Sequence, residues 1–141
     1  MKFKGFYDVL RENLDMYRGD YEMIVDYAPE IFKLLSDLLN DKRIKSRTRL
    51  MICAALGYFV APYDILPEEI YGPQGYIDDI YLSSLILKKI VEETGHEILE
   101  EYWDGEEDLT AVIRECQKRS KKILGKDTEK ILSYVGLENL R

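Results

Sequence analysis

The sequence predicts an all-α fold: a single-domain helical bundle of six to eight helices around a central helical hairpin with a Pro/Asp-rich turn. Three observations predict it. Apolar residues recur at spacings of three and four along most of the chain, while strand-type alternation is nearly absent. Glycines, prolines and capping residues fall between these apolar runs. The chain of 141 residues, 46% hydrophobic and 33% charged, is long enough for one domain, 1–141, with a core of its own.

The elements follow in order. Phe3, Phe6, Tyr7, Leu10, Leu14 and Tyr17 share one helical face, and Gly19 supplies a stop. Tyr21, Ile24, Val25, Ala28, Ile31, Leu35, Leu38 and Leu39 form the next pattern, with Pro29 inside it. Pro29 either starts a new helix near its first turn or kinks one long helix. The polar connection "NDKRIKS" comes next, and Ser46 or Thr48 is placed to cap the helix beyond it. That helix carries the longest apolar run, Leu50 to Tyr63, and must end near Ala61, because a residue before proline avoids the α region. The run is shorter than the ~20 residues of a spanning helix, so a buried core helix is the expectation.

A second apolar helix starts near Ile77 and is apolar nearly all round from Ile80 to Leu87, which predicts a central position. Gly95 suits its C-terminal cap. "HEILEEYW" sets Ile98, Leu99, Tyr102 and Trp103 on one side of a short helix, and "DGEED" is a solvated acidic turn. Asp108 is expected to cap a helix with the face Leu109, Val112, Ile113, Cys116, Ile123 and Leu124, closed by Gly125. Asp127 or Thr128 starts a last helix with Ile131, Leu132 and Val135, closed by Gly136.

Composition narrows the function. Twenty Lys and Arg against 27 Asp and Glu give a net charge of −7, which argues against general nucleic-acid binding. Cys53 and Cys116 stand in no CxxC pair and away from the single histidine, so both read as buried, reduced thiols. The N-terminus turns charged too soon for a signal peptide, so a cytoplasmic location, with a peripheral one at the membrane as the variant, is the expectation. Nucleophilic catalysis has little support: His96 is alone and reads as a surface residue at a helix start, there is no GxSxG, and Cys53 lies in an apolar run. No Walker or Rossmann glycine pattern occurs.

The stretch "APYDILPEEIYGPQGYIDD", Ala61 to Asp79, is the most unusual. From Asp64 to Asp79 it holds no lysine, arginine or histidine. On one reading Asp64 serves an Asx-type turn, Pro67, Glu68 and Glu69 open a helical turn, and Asp78 and Asp79 cap the next helix. On the other, the ends of the hairpin converge, and Asp64, Glu68, Asp78 and Asp79 hold a divalent cation such as Mg²⁺ or Ca²⁺. Tyr58, Tyr63, Tyr71, Tyr76 and Tyr81 surround these acids, suiting either an interface or hydroxyl-to-carboxylate bonds at a core margin.

Two basic segments stand apart. Lys42, Arg43, Lys45, Arg47 and Arg49 precede a helix start, where they suit an anion or lipid headgroup, or simply a solvated loop. Lys118, Arg119, Lys121 and Lys122 lie near a helix C-terminus, where cations are favoured anyway.

The order of an apolar helix, "GYFVAPYDILPEE" and "GYIDDIYLSSLIL" resembles the YkvA-like family of bacterial and archaeal proteins of unknown function. The resemblance rests on Pro62, Asp64, Pro67, Glu68, Gly75, Asp78 and Asp79, with Glu68 standing where the family more often has aspartate. It covers about Arg49 to Ile90, a module at about 49–90. It implies a helical hairpin, found in some relatives beside membrane segments, and no established activity. Together these readings favour a non-catalytic interaction or adaptor module with a protein partner or self-association. The alternatives are a divalent-metal-binding protein or metal-dependent enzyme, and a peripheral membrane protein using the basic segment and the apolar helix after it.

Overall fold

A computed structural model describes residues 8, 23–60, 76–134 and 136–137. Apart from the helical Asp8, the first amphipathic pattern lies outside them, as do Asp64 and Glu68. A 3₁₀ helix, Met23–Tyr27, leads into α1, Ala28–Leu39. Pro29 therefore opens a helix instead of kinking one. Its missing N–H falls in the first turn, where no intrahelical bond is lost. The face carrying Ala28, Ile31, Leu34, Leu35 and Leu38 is buried. On the opposite side Lys33 Nζ reaches Asp37 and Asp104, each at 2.9 Å, joining α1 to the acidic turn before α5.

Helix α2 spans Ser46–Val60 and α3 spans Ile77–Thr94. Phe32 of α1 meets Phe59 of α2 edge to face, with ring centroids 5.4 Å apart. Thr48 lies inside the first turn of α2, and its hydroxyl does not cap. It donates to Glu93 Oε1 of α3 at 2.6 Å, tying the two helices together. Helix α3 is buried without interruption from Ile77 to Leu87. It packs against α1, α2, the 3₁₀ helix, and both α5 (Leu109–Leu124) and α6 (Asp127–Tyr134). The all-round apolar pattern thus marks the centre of the bundle.

The remaining punctuation acts as its chemistry dictates. Gly95 ends α3 at φ 100°, a conformation that side-chain-bearing residues rarely adopt. The short helix α4, Glu97–Tyr102, buries Ile98 and Leu99. Asp108 caps α5 by accepting from the Ala111 N–H at 3.1 Å. Gly105 lies so close to the Trp103 ring that a Cβ there would sit 2.2 Å from it, so the turn "DGEED" requires glycine at that position. The indole N–H of Trp103 donates to the Glu107 carbonyl at 3.0 Å.

One face differs from the expectation. On α5 the buried positions are Leu109, Val112, Cys116, Ser120 and Leu124, while Ile123 is exposed. Repeated steps of four carry the buried stripe from Val112 through Ser120 to Leu124, leaving Ile123 off it. The Ser120 hydroxyl is buried at low cost because it donates to the Cys116 carbonyl one turn earlier. No strand occurs among the described residues, and the fold is all-α.

Candidate functional site

The acid pair sits in the first turn of α3, yet neither residue is its N-cap: that position is Tyr76, which makes no side-chain cap bond. Asp78 and Asp79 are instead buried. Asp78 Oδ1 accepts from the Asp79 N–H at 3.0 Å, and Asp78 Oδ2 accepts from the Tyr58 hydroxyl of α2 at 3.0 Å. The tyrosine-to-carboxylate alternative is the one realised for Tyr58. The bond ties the two apolar helices α2 and α3 together. Ser83 lies one turn after Asp79 on the same side of α3, and its hydroxyl is buried without a hydrogen-bond partner. Among the described residues no group of three His, Cys, Asp or Glu is gathered for a metal ion. Asp78 and Asp79 are the members of the expected cation set that fall inside the described residues; Asp64 and Glu68 lie outside them.

The basic segment divides into two. Arg43 and Arg49 are held by acceptors of the protein itself. Arg43 closes on Asp41: its N–H and Nε donate to Oδ1 at 2.8 and 3.0 Å, and Nη2 donates to Oδ2 at 2.8 Å. The same guanidinium donates to Glu101 of α4, and the Tyr102 hydroxyl donates to Asp41 Oδ2 at 2.7 Å. Arg49 donates to the carbonyls of Leu39, Asp41 and Ile44, which satisfies acceptors left open where α1 ends. Lys42, Lys45 and Arg47 remain exposed at the start of α2.

Asp41 is the hub of this knot and is only 8% exposed. The Arg43 guanidinium and amide, with the Tyr102 hydroxyl, hold its carboxyl well below the usual carboxylate range. A lowered folded pKa means that the unfolded chain takes up the proton first as pH falls. The contribution is present above the ordinary value of 3.8 and is lost as pH falls through the folded value. Asp41→Asn is expected to reduce the unfolding free energy by about 1.5 kcal/mol at pH 7. Urea titrations at pH 7 and pH 3 check this: the gap between wild type and variant should narrow at the lower pH, and an unchanged gap counts against the assignment.

Helix α2 is not the fully buried core helix that its composition suggests. Ile52, Ala55, Tyr58 and Phe59 face the bundle. The opposite side is uncovered: Leu50 is 71% exposed, and Cys53 and Gly57 are exposed too. A Cβ built on Gly57 meets nothing within 4 Å. The expectation of two buried thiols holds for Cys116 alone, whose pKa burial pushes up to about 12. Cys53 is exposed because α1 and α3 flank α2 on its other side. The spacing Leu50–Cys53–Gly57 carried the signal, since i, i+3, i+7 is a single helical face. An apolar run makes such a face look like core.

Known proteins bear on this geometry. The sequence pattern of a family described as protein of unknown function (DUF1232) matches residues 48–85. The chain is 41% identical over 130 residues to an uncharacterized protein, ORF9, of Methanothermobacter thermautotrophicus, covering 92% of this chain and 89% of that protein. It is 33% identical over 78 residues to the uncharacterized membrane protein YkvA of Bacillus subtilis, covering 54% of this chain and 73% of that protein. A 43-residue stretch is 42% identical to the E3 ubiquitin-protein ligase RNF170 of Xenopus tropicalis, and spans only 17% of that protein. No solved structure gives a significant match.

Proposed function

The chain belongs to the YkvA-like family of proteins of unknown function (DUF1232), and on that premise we propose that it is a non-catalytic interaction module that self-associates through the outward face of α2. The observation that carries the reading is the exposure of Leu50, Cys53 and Gly57 along one side of a helix whose other side is core. Leu50, in line with Cys53 and Gly57, offers a second helix an apolar stripe to pack on. Small residues at Cys53 and Gly57 let a second helix approach closely. Two copies related by a two-fold axis close such a contact with α2 antiparallel to its mate, which also keeps the exposed Lys45 and Arg47 of one copy away from those of the other. The short match within the much longer ubiquitin ligase supports a portable module.

Sedimentation equilibrium of the full chain tests the reading. Wild type should dimerise at micromolar concentrations, and Leu50→Arg should be monomeric with unchanged helical circular dichroism. Near the middle of an antiparallel interface, Cys53 approaches its symmetry mate. A copper–phenanthroline oxidant, which takes up the two electrons as two thiols become a disulfide, should cross-link wild type but not Cys53→Ser. A monomer at every concentration, without cross-linking, overturns the proposal.

A specific observation favours a second reading, peripheral membrane binding: Lys42, Lys45 and Arg47 are exposed next to Leu50. Basic side chains beside an apolar face suit an anionic bilayer surface. The name of the Bacillus relative includes the word membrane. No helix among the described residues is long and apolar enough to cross a bilayer. Co-sedimentation with phosphatidylserine vesicles at low salt distinguishes the two, since self-association alone leaves the protein in the supernatant.

A further inference from the structure

A second surface lies away from α2, where α3, α4 and α5 meet around a pocket of about 240 Å³. Its floor is apolar. Leu99 and Leu109 are buried there, and Val91 and Ile113 form half-buried walls. Its rim is charged. Lys88 of α3 and Arg114 of α5 are exposed at the mouth, with His96 from the α3–α4 turn and Glu100 of α4. The His96 ring lies against the Thr110 hydroxyl at 3.4 Å, which holds the turn to α5. Lys88, Arg114 and Glu100 make no ion pair with any described residue. This is unlike Arg43, which is closed on Asp41 and Glu101.

We propose that this pocket binds a small amphipathic monocarboxylate, its apolar body against Leu99, Leu109 and Ile113 and its carboxylate at Arg114 and Lys88. Size limits the body: a dry cavity of about 150 Å³ takes up benzene, so this one admits a ring with a short arm. Charge limits the head. Lys88 and Arg114 against the one rim carboxylate, Glu100, leave a single positive charge, which complements a monoanion better than a phosphate. The planar fork of arginine pairs with carboxylate oxygens, and lysine adds a point charge. Few polar groups converging on an apolar concavity is the usual composition of a small-molecule site.

The experiment uses 3-phenylpropionate as probe, with the full chain followed by methyl-resolved nuclear magnetic resonance. The expected result is saturable shifts at Val91, Leu99, Leu109 and Ile113, with a dissociation constant of about 1 mM or below. The neutral analogue 3-phenylpropanamide should bind at least about tenfold more weakly, because it lacks the charge that Arg114 and Lys88 read. In the double variant Lys88→Gln/Arg114→Gln, acid and amide should bind equally weakly. Both residues are exposed, so an unchanged melting temperature verifies that the fold is retained. Equal affinity of acid and amide for wild type, a preference that survives in the double variant, or absence of saturable shifts at these methyls overturns the proposal.

Discussion

Leu82→Ala should lower the unfolding free energy by about 3–4 kcal/mol, the largest effect expected of a single substitution here. Leu82 is fully buried at the middle of the stretch of α3 that has no exposed side. Truncation removes the transfer free energy of its methyl and methylene groups. It also leaves a cavity that cannot collapse easily, because α1, α2, α5 and α6 all pack on the same helix. Relaxation of one neighbour is opposed by the others. Glu92→Ala, at an exposed position of the same helix, should change stability by no more than about 0.5 kcal/mol. Urea denaturation followed by circular dichroism measures both. A loss below about 1 kcal/mol for Leu82→Ala would mean that α3 does not hold the centre of the core.

The central position of α3 was legible in the sequence because the residues from Ile80 to Leu87, apolar nearly all round, leave no face for solvent; the burial of Asp78 and Asp79 before them was not. Helix ends were legible for a similar reason. Gly95, Asp108 and Gly125 each act through their own backbone or the next turn, so a local pattern contains the whole cause, whereas Pro29 allowed either a helix start or a kink until the 3₁₀ helix before it was placed. The outward face of α2 was not legible. An apolar run states that burial is favourable, but which side a neighbour covers depends on residues far away in sequence. Ile123 and Ser120 exchanged roles on the same ground: a step of seven and a step of eight from Cys116 or Val112 both fit a helical stripe.

Charge runs hid more than they revealed. Counting five cations from Lys42 to Arg49 suggested one anion patch, whereas two of them are held by Asp41 and by carbonyls near the end of α1. The partner Glu101 stands 58 residues beyond Arg43, a separation over which no spacing rule operates. The pocket shows the reverse case. Lys88 and Arg114 lie in ordinary amphipathic stretches and carry no motif, and only the meeting of three helices gives them a shared floor.

The acid pair allows a sharper test of what the Pro/Asp-rich module does. Asp78→Ala should cost about 3 kcal/mol and Tyr58→Phe about 2 kcal/mol, because each removes one end of a buried hydrogen bond between α2 and α3. Asp78→Ala costs more because it also removes the acceptor of the Asp79 N–H in the first turn of α3. The double variant should be more stable than the sum of the singles implies, with a coupling of about 1–2 kcal/mol, since the two side chains share one buried hydrogen bond. Additive losses would show that the hydroxyl and the carboxylate do not depend on each other. The same proteins separate a structural carboxylate from a cation ligand. If Asp78 works through Tyr58 and its own helix, millimolar Mg²⁺ should move the melting temperatures of wild type and Asp78→Ala alike. A rise confined to wild type and to Tyr58→Phe would assign the carboxylate to a cation, because a ligand stabilises only the folded state that binds it. The hairpin would then be a site that happens to be well packed, and not a packing motif that happens to be acidic.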